Sequence, residues 1–289
     1  MVENKQIIEY LATRDNYNKL ENLIAKELEE YYSMPKPKKA ESGKKIKTLE
    51  EATEILSEAK HSVDDFLSLK PGYCNPKLEL KGSLKYNGNG LFSTMVSNAL
   101  FLAAGIGAAI YWHPMIGGAM VGVGISKLAF ILNLNLSITT PVCNSSELIT
   151  CIKGATREEM RMSLLHEYAH AVSIDRLGGQ SLKYRCLSEG FAQGTQLHIS
   201  KHYGAKNRSS LFSSIRCLDN ARHDIKCKLS GKEKFFLKME KNIKEEMISD
   251  NEYMFLTGAG YFLFRLAEEK HGEDIYKEVL EGNTKLLFA

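Results

Sequence analysis

The chain predicts a mainly helical (α+β) protein in three parts. These are an N-terminal helical module with a Lys/Pro linker over residues 1–86, an apolar transmembrane hairpin over 91–138, and a helical domain over 139–289. Threonine–glutamate capping boxes at Thr48–Glu51 and Thr156–Glu159 each open a run with apolar residues at helical spacing. Leu91 to Trp112 is 22 residues without a formal charge. His166-Glu167-Tyr168-Ala169-His170 carries two histidines four positions apart, which a helix brings to one face.

Polar, apolar-periodic helices are expected from Asn4 to Tyr32 and from Leu49 to Leu69. Between them lie Lys36, Lys38, Lys39, Lys44, Lys45 and Lys47, interspersed with Pro35, Pro37 and Gly43. That composition suits a solvated flexible linker; attraction to anionic lipid headgroups is the alternative. Met1 is followed by polar, mixed-charge residues, so no amino-terminal secretory signal is expected.

At ~1.5 Å per residue, the run from Leu91 to Trp112 reaches about 33 Å, enough for a bilayer core. A second apolar run starts at Met115 and carries Gly118 and Gly122 at a spacing that lets membrane helices pack closely. Lys127 interrupts it, at roughly 2.5–3.5 kcal/mol for a mid-bilayer lysine. Lys77, Lys81 and Lys85 precede the hairpin and Lys153, Arg157 and Arg161 follow it, while the His113-Pro114 turn has no Lys or Arg. Both flanks are then cytoplasmic, giving a multi-pass membrane protein with its C-terminal domain on the cytoplasmic side. Burial of these runs in a soluble core is the competing reading. Residues 130–138 alternate apolar and polar, which fits a strand or the end of a helix.

The helix opened by Thr156 has an apolar face of Leu164, Leu165, Tyr168, Ala169 and Val172, and Gly178-Gly179 stops it. A second helix is expected from near Cys186 to about His202, with Glu189 near its start and Gly190 allowing the two helices a close approach. His166, His170 and Glu189 are therefore the candidate metal ligands, with zinc as the ion. A His/His/Glu set is a recurring catalytic zinc arrangement that keeps one position for water. Glu167 beside them is the candidate catalytic base, able to take that water's proton and return it to a leaving amine. The chemistry implied is hydrolysis of a peptide or protein substrate.

The stretch from His166 to Gln193 resembles the gluzincin branch of zinc metallopeptidases, and its Leu-Ser-Glu-Gly-Phe-Ala string is closest to the aminopeptidase N-like members. The resemblance implies a helical zincin-like domain with a small β-sheet, an edge strand for substrate, His166, His170 and Glu189 as ligands, and Glu167 as base. Residues 258–266 with His271-Gly272 are similar to a late helix of such domains. The Gly-Ala-Met-Glu-Asn element that grips a free amino terminus is missing, so an endopeptidase is expected. Gln193 stands where relatives carry an aspartate that orients a zinc-bound histidine. Tyr253, Tyr261 and His223 are the candidates for the oxyanion donor.

A net charge of +3 with 25% charged residues describes no strong field, and no nucleic-acid motif is present. Cys74, Cys143, Cys151, Cys186, Cys217 and Cys227 lack Cys-x-x-Cys spacing, so reduced thiols are expected. An inverted topology would make Cys143–Cys151 and Cys217–Cys227 candidate disulfides. His198 and His202 form a second pair at helical spacing, read as solvated because no carboxylate accompanies them in sequence. The alternative function, from another class, is a catalytically inactive, zinc-stabilised scaffold or partner-binding module in a membrane assembly.

Overall fold

A computed structural model describes residues 3–34, 45–81, 142–145, 147–152, 154–178, 182–202, 208–231, 234–244 and 249–289. The apolar stretch 91–138, its alternating segment 130–138 and most of the lysine-rich linker lie outside these residues. Among the described residues, no helix is long and apolar enough to cross a membrane.

The chain runs α1 (Asn4–Leu11), α2 (Arg14–Ser33), α3 (Leu49–Phe66), β1 (Lys77–Lys81), β2 (Val142–Ser145), β3 (Leu148–Ile152) and α4 (Arg157–Leu177). A 3₁₀ turn (Leu182–Tyr184) then leads to α5 (Arg185–His202), α6 (Arg208–Leu229), α7 (Lys234–Lys244), α8 (Asp250–His271) and α9 (Ile275–Leu280). The protein is mainly α. Its small sheet has the order β1-β3-β2, with β1 parallel and β2 antiparallel to β3.

Local chemistry sets the helix starts. Thr48 and Thr156 each accept from the backbone N–H three residues on, and Glu51 and Glu159 reach back, completing the expected boxes. Ser249 and Glu252 do the same for α8. The single helix expected over Asn4–Tyr32 is instead two. Thr13 adopts an extended backbone and caps Asn16 N, while the Asn16 side-chain amide donates to Tyr10 O at 2.9 Å, closing the break.

The N-terminal helices share one apolar core with the C-terminal ones, including Ile7, Leu11, Leu20, Ile55, Leu164, Phe191, Phe262 and Tyr276. Polar links cross it as well. Asn4 donates to Leu182 O at 2.6 Å and accepts from Cys186 N at 2.9 Å, so α1 caps the first turn of α5 from the far end of the chain. Tyr168 donates to Asp64 at 2.9 Å and Tyr261 to Glu27 at 2.6 Å.

Helix α8 packs most extensively on α5 and then on α6, while α4 packs on α5 and α3. The glycines explain how close α5 and α8 come. A Cβ at Gly190 would lie 2.2 Å from the Gly260 carbonyl carbon, and one at Gly260 would lie 1.8 Å from Cys186 O. Gly190 therefore serves the α5–α8 crossing, where the sequence suggested the α4–α5 contact. The opposing atoms are backbone and cannot rotate away. Gly260→Ala is expected to lower stability by about 3 kcal/mol, the upper end for overpacking, as read by urea denaturation.

One carboxyl outside the site couples stability to pH. Burial of Asp224 on α6 raises its pKa to about 6, with His223 opposing and the field of Glu252 adding to the rise. Because the folded state then holds the proton more tightly than the unfolded chain, stability falls as pH rises from the ordinary aspartate value of 3.8 through 6. The full linkage for such a shift is about 3 kcal/mol. Solvent screening of this half-buried group reduces it to about 1 kcal/mol. Asp224→Asn is expected to gain about that much at pH 8 and little at pH 4, checked by urea titrations at both values.

Candidate metal centre

Helix α4 presents His166 and His170 because its opposite face, with Leu164, Leu165, Tyr168, Ala169 and Val172, is buried in the core. Its end is set by Gly178, which takes the left-handed conformation at φ +77°. Helix α5 then brings Glu189 across. His166 Nε2 and His170 Nε2 are 3.1 Å apart, with Glu189 Oε2 3.4 Å from the first and Oε1 3.3 Å from the second. The three groups offer ligand atoms within 4.8 Å of one another and are the metal-competent cluster found among the described residues.

The donor set fits a small divalent ion. For bonds of ~2.0–2.1 Å, tetrahedral geometry separates neighbouring donors by roughly 3.3–3.4 Å, close to the spacing seen here. Glu189 is 1% exposed, which a carboxylate tolerates only when its charge is matched. Burial opposes its ionisation, yet His170, Arg185 and His166 together hold it well below the usual carboxylate range. Burial likewise opposes a charge on His166, but its contact with Glu189 and the nearby Glu167 raise its pKa overall.

Glu167 is half-buried. Its charge acts on His166, Arg185 and Cys151, and the buried Cys151 thiol is pushed up to about 12, by burial first and by Glu167 second.

The orienting roles are distributed differently from the expectation. Gln193 does not hold a histidine: its side-chain amide donates to Ser214 on α6 at 2.8 Å, because that face of α5 turns towards α6. Ser188, next to Glu189 and fully buried, has its hydroxyl 3.0 Å from His170 Nδ1 and takes that role. His166 Nδ1 is buried without a hydrogen-bond partner among the described residues.

Of the three oxyanion-donor candidates, only Tyr253 reaches the site. In the first turn of α8, its hydroxyl donates to Glu189 Oε1 at 2.8 Å. Tyr261 is committed to Glu27, and His223 is exposed on α6 with Cys227 as its neighbour. Arg185 completes the cluster. Its guanidinium lies 2.5 Å from Glu189 Oε1 and 3.2 Å from Tyr253 Oη, and stacks over the Tyr253 ring at 5.2 Å. Arg185 was readable as an Arg–Glu pair four apart on a helix. Tyr253, 64 residues beyond Glu189, had no such local signal.

His198 corrects a further expectation. Its side chain is only 11% exposed, and Glu268 and Glu273 approach its Nε2 to 3.4 and 3.3 Å. The carboxylates come from α8 and the turn after it, so no neighbour in sequence announces them. Phe66 packs edge-on against the ring. The His202 side chain lies outside the described residues, as does that of Cys143. Cys217 and Cys227 are free thiols, as are Cys151 and Cys186.

A scan of the chain against protein-family models finds no match, and searches of curated proteins and of solved structures find none either.

Proposed function

We propose that this protein is a zinc-dependent metalloendopeptidase of gluzincin type, anchored in a membrane through residues 91–138. The observation that carries the reading is the convergence of His166, His170 and Glu189 donor atoms within 4.8 Å from two separate helices. Two imidazoles and one carboxylate suit Zn²⁺, and that set leaves a position for water. The uncharged run from Leu91 to Trp112 supports the anchor.

His166, His170 and Glu189 would hold the ion, with Ser188 fixing the ring of His170. When bound, Zn²⁺ supplies Lewis acidity to the substrate carbonyl and makes water acidic enough to react near neutral pH. Glu167 accepts a proton from that water as its oxygen bonds to the peptide carbonyl carbon. The same carboxyl then delivers the proton to the amide nitrogen as the C–N bond breaks, so acid and base roles fall to one side chain. Tyr253 would turn its one hydroxyl proton from Glu189 Oε1 to the carbonyl oxygen as negative charge grows there. Its hydroxyl, resting on Glu189, is already turned into the site.

The test is cleavage of a mixed peptide library by wild type and Glu167→Gln, with zinc content measured on both. Cleavage by the wild type that Glu167→Gln loses supports the peptidase. A wild type that carries zinc and cleaves nothing in the library favours the scaffold.

A further inference from the structure

Arg185 is an unusual neighbour for a metal ligand. Carboxylates and carbonyls orient histidine ligands, whereas a ligating carboxylate is held by hydrogen-bond donors, which need carry no charge. Here a cation touches the ligand carboxylate instead. It also occupies the first position of α5, where the helix dipole disfavours positive charge. Its Nε is buried without a hydrogen-bond partner among the described residues. Helix stability does not explain it; what holds its guanidinium is the Glu189 carboxylate together with the hydroxyl and ring of Tyr253.

The two oxygens of Glu189 are unequal. Oε1 receives Arg185 at 2.5 Å, Tyr253 at 2.8 Å and His170 at 3.3 Å, whereas Oε2 has His166 at 3.4 Å. A guanidinium and a phenol hold the oxygen that lies beside His170, and the other oxygen lies against His166. We propose that Arg185 is a positioning residue that substitutes for the ion in the metal-free site. It neutralises the buried Glu189 before metal arrives and afterwards retains Oε1, so that Glu189 ligates through Oε2 alone.

This deepens the metal-centre reading and rests on it. The consequences are specific. A charge that competes with the ion for the same carboxylate weakens metal binding, so removing it tightens binding. A purely architectural arginine would have the opposite effect, because its loss would disorder Glu189 and weaken binding.

The experiment titrates the full chain with Zn²⁺ against a chromophoric chelator, and with Co²⁺ by visible absorption, for wild type, Arg185→Gln and Arg185→Lys. Arg185→Gln is expected to melt at a lower temperature than wild type without metal and to bind Zn²⁺ about 10- to 100-fold more tightly, the scale of effects from groups behind metal ligands. Its Co²⁺ band is expected to weaken as Oε1 joins the coordination. Arg185→Lys keeps the charge and should stay within roughly threefold of wild-type affinity, a change of under about 0.7 kcal/mol.

Unchanged or weaker Zn²⁺ binding by Arg185→Gln overturns the inference. So does an Arg185→Gln chain that remains unfolded with Zn²⁺ present, since the ion then fails to replace the guanidinium. Wild-type protein that binds no Zn²⁺ fails the metal-centre reading itself, whereas a wild type that binds and a variant that binds less fail this inference alone.

Discussion

Glu167→Gln is expected to lower peptide hydrolysis by roughly 10²–10⁴-fold, the usual contribution of a positioned acid–base group. At about 1.4 kcal/mol per tenfold, that corresponds to roughly 3–5 kcal/mol of transition-state stabilisation. Glutamine has nearly the shape of glutamate but cannot take a proton, so the change isolates the chemistry from the packing. His166, His170 and Glu189 remain, and zinc content should match the wild type within error. Loss of the negative charge should also let the Cys151 thiol ionise slightly more easily, although burial remains the larger cause of its shift. Hydrolysis that survives the substitution at the wild-type rate would remove Glu167 from the mechanism.

What could be read in the sequence was whatever short-range geometry controls. The Thr156–Glu159 box, the apolar positions behind the histidines and the Gly178 stop are all encoded within about one or two helical turns of their effect. The nearness of Glu189 to His166 and His170 followed from the motif and its spacing. The failures were non-local. Gln193 was assigned to a histidine because it stands where the resembled family carries an orienting aspartate, yet the residue that decides its direction, Ser214, belongs to a helix whose packing the local pattern does not encode. His198 looked unaccompanied because its carboxylates arrive from α8 and the turn beyond it. Gly190 was recognised as a contact glycine but given the wrong partner, since a missing Cβ says that something is close and not what. The break at Ala12 and Thr13 was missed although a threonine cap stands there and the apolar positions of α1 (Ile7, Ile8, Leu11) do not continue in phase into those of α2 (Leu20, Leu23, Ile24).

Glu189→Ala is expected to destabilise even the metal-free protein by about 3–5 kcal/mol, the cost of breaking a buried ion pair from one side. The Arg185 guanidinium would be left without its carboxylate in a setting where its Nε already lacks a partner among the described residues, and the Tyr253 hydroxyl would lose its acceptor. His166 would also lose the negative charge that favours its proton. His166→Ala provides the contrast. That side chain is 15% exposed and its Nδ1 has no partner to strand, so its removal should cost the metal-free fold about 1 kcal/mol or less while still abolishing metal retention. Urea denaturation of both variants in excess chelator separates the two ligands: one also matches a buried cation, and the other serves only the ion. Equal, small losses for both would mean that the Arg185–Glu189 pair adds nothing to the fold, and that Glu189 is buried for the metal alone.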